Sequence, residues 1–347
     1  MSGALAIEGY EELLESGVLA IADAAMKFRS VLQTHGRALV SISGGADSDV
    51  MLDMCERVRD GTGCDVTYAW FDTGIEWDAT KRHVDWMEAR YGVTIHRHRA
   101  EKSIPRCCKE HGQPFYSKFV SEAMERLQRH GFQWQDEPYE VLLEQYPRCK
   151  SALKWWCNQY RRTDEPGYYD IGNAPYLKEY IIDYPPTFRI SNKCCEYAKK
   201  RVSKRIIHDG GFDLRIIGIR KAEGGIRAKT SDARCFRAGL VDSYYPLFWF
   251  SDRDRAEYKR LFGIRNSACY ELWGFKRTGC VGCPYNRRNE HDLLVSQTWE
   301  PGVTAVARKV FADTYEYTRR YYEFRAKRRA EERGQMMLPV DDGTADA

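Results

Sequence analysis

The stretch that decides the fold runs Ala38-Leu39-Val40-Ser41-Ile42-Ser43-Gly44-Gly45-Ala46-Asp47-Ser48-Asp49-Val50-Met51. Leu39, Val40 and Ile42 form a short apolar run that suits a buried strand. Ser43 to Ser48 suits a tight turn, and Val50, Met51, Leu52 and Met54 supply the apolar face of a helix that follows. Such a joint leaves backbone N–H groups at the positive end of the helix dipole, and its two glycines let an anion come close to the main chain. The plain alternative is an ordinary strand-turn-helix joint with Asp47 or Ser48 as the cap.

Working outward, Cys64 to Phe71 reads as a second strand that runs into Asp72-Thr73-Gly74-Ile75-Glu76-Trp77, with a helix from Thr80 to about Tyr91. Val93 to His96 is a third short strand, and Phe212 to Arg220 a further one that ends in an arginine. Strands alternating with helices predict an α/β fold with a parallel twisted sheet and helices on both faces. Ligands of such sheets bind beyond the carboxyl ends of the strands, where Ser43-Gly44-Gly45 and Asp72-Thr73-Gly74 both fall. Asp-Thr-Gly also makes an Asx-turn readily. Arginine forks suit phosphate or sulfate oxygens, so Arg220 and Arg227, flanking a glycine turn, are the expected anion clamp; surface salt bridges to Glu223 are the alternative. Residues 1–36 carry helical patterning, and the expected helix packs on the sheet edge.

The 347 residues, 43% hydrophobic and 30% charged, suffice for one large domain or two smaller ones. No apolar run reaches the roughly 18–20 residues of a membrane helix, and no signal-like start is apparent. Twelve cysteines in a chain expected in the cytoplasm argue for reduced thiols, as metal ligands or reactive groups. The net charge of +4 by itself implies no nucleic acid, although arginines cluster from Arg319 to Arg333. Between about 101 and 190 the pattern changes to helical stretches and a Gly/Pro/Tyr-rich segment. Trp155, Trp156, Tyr160, Tyr168, Tyr169, Tyr176, Tyr180 and Tyr184 there are expected mainly to fill the core of an insertion, with base stacking as the other use.

Cys194-Cys195 and Cys280-Val281-Gly282-Cys283, separated by 84 residues, offer four thiolates, which suit zinc or an iron–sulfur cluster; spacing alone does not choose. Adjacent cysteines are awkward for a tetrahedral zinc site, which favours the cluster. Cys55, Cys64 and Cys269 are expected to be small buried residues, Cys235 is an even choice, and a second metal site of Cys107, Cys108, Cys149 and Cys157 is not expected. His96, His98 and His291 lack ligand spacing.

Neither Gly-Lys-Ser/Thr nor Gly-x-Gly-x-x-Gly follows the first strand. Ser-Gly-Gly-x-Asp-Ser instead resembles the pyrophosphate (PP) loop of the ATP pyrophosphatases and of the phosphoadenosine phosphosulfate (PAPS) reductase family. Asp72-Thr73-Gly74 through Thr80 is similar to the segment that follows the second strand in that family, and 218–227 to its arginine segment, with Gly224 where serine is usual. The resemblance implies an adenine nucleotide alpha-hydrolase-like fold. It also implies ATP or a related nucleotide held by Ser43, Gly44, Gly45, Asp47, Ser48, Asp72, Thr73 and Gly74, with Asp47, Arg220 and Arg227 serving the chemistry and Mg²⁺ at Asp47. It further implies a 4Fe–4S cluster on Cys194, Cys195, Cys280 and Cys283. The implied organisation is an N-terminal helical segment (1–36), a PP-loop domain (37–285, insertion about 101–190) and a C-terminal helix with a disordered tail (286–347).

The sulfonucleotide reductases carry a nucleophilic cysteine near their C-terminus, whereas no cysteine follows Cys283 here; Cys235 or Cys108 would have to substitute. The expected activity is therefore ATP pyrophosphatase (adenylation) chemistry coupled to sulfur transfer onto a nucleic-acid or small-molecule acceptor. The alternatives are an adenylylsulfate or PAPS reductase, and a non-catalytic nucleotide- or redox-sensing module. The expected partners are a sulfur donor of the cysteine desulfurase or thioredoxin-like kind and a nucleic-acid acceptor, with no membrane.

Overall fold

The computed structural model describes residues 9–160, 167–224 and 234–334. They divide into two compact units. One is built from the residues up to Pro105, Cys195–Gly282 and Glu290–Ala307; the other from Arg106–Cys194, Cys283–Asn289 and the residues from Arg308 on.

The first unit holds a six-stranded sheet of β1 (Arg37–Ile42), β2 (Asp65–Asp72), β3 (Ile95–Arg99), β4 (Leu214–Ile217), β5 (Phe236–Arg237) and β6 (Asp242–Tyr244). Their order is β3-β2-β1-β4-β6-β5, parallel except for the two-residue β5, which runs antiparallel to β6. Val40 stands opposite Tyr68 on one side and Ile216 on the other. Side chains alternate across a strand. Ala38, Val40 and Ile42 accordingly join Tyr68, Trp70, Leu214 and Ile216 in a core shared with α1 (Tyr10–Leu14), α2 (Leu19–Gln33) and α3 (Ala46–Val58). Leu39, Ala69 and Phe71 face the other way, onto Val202, Ile207 and Phe212 beside the helix Arg201–Gly210. β1 is covered on both faces, which is why its apolar run is nearly unbroken. α2 packs on a sheet face, its Phe28 ring 5.5 Å from that of Tyr244, which corrects the expected edge position. Its apolar stripe of Ile21, Ala24, Ala25, Phe28 and Leu32 needs a broad apolar surface, and an edge offers none.

Chain order reverses across β1: β2 and β3 lie to one side, β4 and β6 to the other. The crevice between the loops leaving β1 and β4 is the switch point where open parallel sheets bind ligands. A buried network anchors α3 beneath it. Asp53 accepts from Arg57 Nε at 2.7 Å, the Tyr258 hydroxyl at 2.8 Å and the Tyr91 hydroxyl at 3.0 Å.

The second unit is helical, with segments Lys118–Arg129, Tyr139–Gln145, Lys150–Trp156, Leu177–Asp183 and Ala312–Glu332. Phe115, Trp155, Trp156, Tyr180, Tyr317 and Tyr321 form its buried centre. Trp155, Trp156 and Tyr180 are thus core residues, as expected, while Tyr168 and Tyr184 are exposed. Their polar tips find carbonyls: Trp156 Nε1 donates to Gln135, the Tyr180 hydroxyl to Tyr317 and the Tyr321 hydroxyl to Pro175. Among the described residues no helix is long and apolar enough to cross a membrane.

Candidate functional site

The loop after β1 is shaped by its own hydroxyls. Gly45, rather than Asp47 or Ser48, is the residue before the first turn of α3, and the Ser48 side chain folds back to it. The Ser48 hydroxyl donates to the Gly45 carbonyl at 2.8 Å and accepts from the Gly45 N–H at 3.1 Å, while the Ser43 hydroxyl lies 3.2 Å from it. Gly44 has φ +67°, and a Cβ there would stand 2.6 Å from Thr80 Cγ2, so only glycine fits between the loop and α4 (Asp78–Tyr91).

Asp47 is held by cations. Its Oδ1 accepts from Arg220 Nε at 2.7 Å and from Arg255 Nη1 at 3.1 Å. Arg220, only 4% exposed, also donates to Asp252 at 2.9 Å and to the Phe250 carbonyl at 3.3 Å. Burial works against the charge of this guanidinium, and Asp47 and Asp252 outweigh it, so it stays protonated. The expected anion clamp is here a carboxylate clamp, since each guanidinium nitrogen of Arg220 already has a partner. Surrounding protein and then the Asp47 carboxylate raise the neighbouring Glu223 carboxyl, although that side chain reaches solvent. In this arrangement one Asp47 oxygen is shared by two guanidiniums, and no step is derived through Mg²⁺. Arg227 lies outside the described residues.

The second strand-end turn is self-contained. Asp72 accepts from the Gly74 N–H at 2.8 Å, an Asx-turn, and the Thr73 hydroxyl donates to the buried Glu76 at 2.7 Å. Gly74, with φ +80°, brings the chain so close to Ser103 that a Cβ would meet Ser103 Cβ at 2.6 Å. Complete burial pushes the Glu76 carboxyl up, against the pull of Lys199 and Thr73.

Residues far along the chain finish the site. Ideal Cβ placement on Gly45 comes within 3.2 Å of the Tyr270 hydroxyl and 3.3 Å of Thr278 Oγ1, which places both polar tips over the loop. The Thr278 N–H donates to the Tyr270 oxygen at 3.0 Å. Burial pushes this phenol up, and hydrogen bonds from Thr278 and from the Ala46 backbone draw it back. Three residues beyond Thr278, the Val281 N–H donates to the Ile75 carbonyl at 3.0 Å. The segment 278–281 therefore touches both strand-end turns. Arg255, Tyr270 and Thr278 escape a reading of local motifs, because only folding brings them to the loop; their one local signal is the position of Thr278 just ahead of Cys280. Behind the loop, buried Asp49 accepts from Asn266 Nδ2 at 2.7 Å and has His83 Nε2 at 3.1 Å, while its Oδ1 has no partner among the described residues.

Cys195 and Cys280 belong to the first unit, Cys194 and Cys283 to the second. Among the described residues no group of three or more His, Cys, Asp or Glu side chains is placed to hold a metal ion. The four thiols are thus divided between the two units, and no step is derived through a cluster. Cys55 and Cys269 are buried, and burial pushes each thiol up to about 12, as suits inert core residues; Cys64, half-buried, is pushed to about 11.

Residues 37–154 match the family model of the phosphoadenosine phosphosulfate reductase domain. No curated protein matches the chain. Among solved structures, the chain is similar to the phosphoadenylyl-sulfate (PAPS) reductase of Candida auris in its phosphate complex, at 14% identity and TM-score 0.41, over 81% of this chain and 98% of that one. It is also similar to the U34-tRNA thiolase NcsA of Methanococcus maripaludis with its 4Fe–4S cluster, at 13% identity and TM-score 0.38, over 86% of this chain and 78% of that one.

Proposed function

We propose, from the match of residues 37–154 to the phosphoadenosine phosphosulfate reductase domain, that the chain is an adenine-nucleotide enzyme that adenylates an acceptor and lets sulfur displace the adenylate. ATP lies across the crevice between β1 and β4, its pyrophosphate end on the Ser43–Ser48 turn and its ribose side toward Asp72. An acceptor oxygen attacks the α-phosphorus, the α–β P–O bond breaks, and pyrophosphate leaves. A sulfur nucleophile at the sulfide level then attacks the activated centre, its bond to the adenylate oxygen breaks, and AMP departs, with no net redox change. Incoming phosphates compete with Asp47 for Arg220 and Arg255, so the nucleotide releases the carboxylate that these arginines otherwise hold.

One observation speaks against sulfonucleotide reduction through Cys269. The Thr80 hydroxyl, on the residue that packs on Gly44, has the Cys269 sulfur at 3.9 Å, and burial pushes this thiol up to about 12, which leaves it without thiolate character near neutral pH. A reductase needs a thiolate at the substrate sulfur. The test is pyrophosphate release from ATP by anaerobically prepared protein, with hydrosulfide and a short oligonucleotide present. Gly44→Val, which forces a side chain into Thr80 at a left-handed φ, is expected to lower the rate by about a hundredfold, in line with the cost of a misplaced binding loop. Sulfite formation from adenylylsulfate and reduced thioredoxin, without pyrophosphate release from ATP, would reverse the assignment.

A further inference from the structure

The long helix Ala312–Glu332 of the second unit carries two kinds of arginine. Arg319 pairs with Glu316 and Glu323, and Arg328 with Glu179 and Glu331. Arg325, Arg329 and Arg333, four residues apart, share one face and have no carboxylate within 4 Å among the described residues. A rise of about 1.5 Å per residue sets their backbones about 6 Å apart, a spacing an extended chain of phosphates can follow. With Tyr322, Ala326 and Ala330 they line an open depression of about 270 Å³. Tyr322 is 42% exposed, with the Arg325 guanidinium 4.7 Å from its ring centre. Tyr116, 37% exposed and at φ 58°, adds a second ring to the same unit. Arg287 and Arg325 both lie close enough to Tyr116 to favour its ionised form, although burial outweighs them and raises its pKa.

Cations without carboxylate partners, in register beside exposed rings, are the components of a single-strand nucleic-acid groove: arginines track phosphates, and rings stack on bases without demanding a sequence. An acidic peptide would use the arginines and leave the rings idle, and duplex DNA would hide the base faces the rings can use. We propose that this face of the second unit binds single-stranded nucleic acid. As an assignment of the acceptor class this rests on the sulfur-transfer reading above; as a binding surface it stands alone.

The experiment is fluorescence anisotropy of the full chain with a labelled mixed-sequence 20-nucleotide DNA or RNA strand and the matching duplex, over a range of salt. Single-strand binding is expected to exceed duplex binding. Arg329→Gln combined with Arg333→Gln, which removes no ion pair, is expected to weaken it roughly tenfold and to make the slope of log affinity against log salt shallower by about 1.4. Tyr322→Ala is expected to weaken it between about fivefold and a hundredfold. Circular dichroism melting of each variant checks the fold, and the double glutamine variant, at two exposed positions, keeps the test decisive if Tyr322→Ala unfolds. Equal or tighter duplex binding, affinity unchanged in both variants, or competition by polyglutamate that is indifferent to Tyr322 would each overturn the proposal. Pyrophosphate release measured in parallel separates the two readings. Wild-type turnover of ATP without strand binding rejects the surface alone, and patch-dependent strand binding without turnover rejects the adenylation chemistry alone.

Discussion

In the first unit two carboxylates are answered from within. Asp53 lies under the sheet with Arg57, Tyr258 and Tyr91 around it, and Asp47 sits between Arg220 and Arg255 at the mouth of the crevice. In the second unit the centre is aromatic, the tips of Trp156, Tyr180 and Tyr321 are satisfied by carbonyls, and the arginines ride outside, with Arg325, Arg329 and Arg333 among those that have no carboxylate partner among the described residues. The same residue type thus does different work. An arginine whose donors are already taken holds another side chain still and yields to a ligand only by exchange. An arginine left open on a helix face is ready for an anion from outside.

The contrast is easiest to break at Asp53. Removing its carboxylate takes one of two carboxylates from the buried Arg57 guanidinium, which keeps Glu12, and takes the acceptor from the buried Tyr258 hydroxyl, so Asp53→Ala is expected to cost about 3 kcal/mol in urea unfolding. A loss under about 1 kcal/mol would mean that the buried charges of the first unit do not answer one another as drawn.

A pH series sharpens the same point on a partly covered pair. Burial works against a charged His35, and the Val31 carbonyl, Asp242 and Asp213 outweigh it, which lifts the imidazole above its ordinary 6.5. A group raised on folding stabilises fully below its unfolded pKa and loses that contribution as pH rises through the folded value. Stability of the wild type should therefore decline above about pH 6.5, and His35→Gln should flatten that part of the profile. An identical profile in both proteins would remove His35 from the set of answered charges. The smallest effect is expected at Arg319, whose exposed pairs with Glu316 and Glu323 should be dispensable: Arg319→Ala should melt like the wild type.

Much of the first unit was legible because its signals are local. The apolar run at 39–42, the glycine pair and the helical pattern from Val50 place β1, the turn and α3 within a residue or two of where they lie. Asp-Thr-Gly likewise announces its own Asx-turn. The partners of those turns were not legible. Arg220 meets Asp47 across 173 positions and Arg255 across 208, while Glu300 accepts from the N–H groups of Asp78 and Ala79 at the start of α4 from more than 220 residues away. The sequence marks Arg220 as a clamp for an anion, but not as one already closed on Asp47, because periodicity and motif spacing carry no record of which charged tips meet after folding.

By itself the sequence determined the alternation of strands and helices, the two glycine turns at strand ends and the arginine-rich helix, since hydrophobic period and backbone freedom are properties of neighbouring residues. Only the tertiary structure decided that Tyr270 and Thr278 overlook Gly45, that Asp47 is held by two guanidiniums, and that Arg325, Arg329 and Arg333 lack the carboxylates that Arg319 and Arg328 have. The reason is physical: hydrogen bonds and ion pairs act over a few ångströms, and which groups come within that reach is set by packing, which joins parts of the chain that local sequence cannot relate.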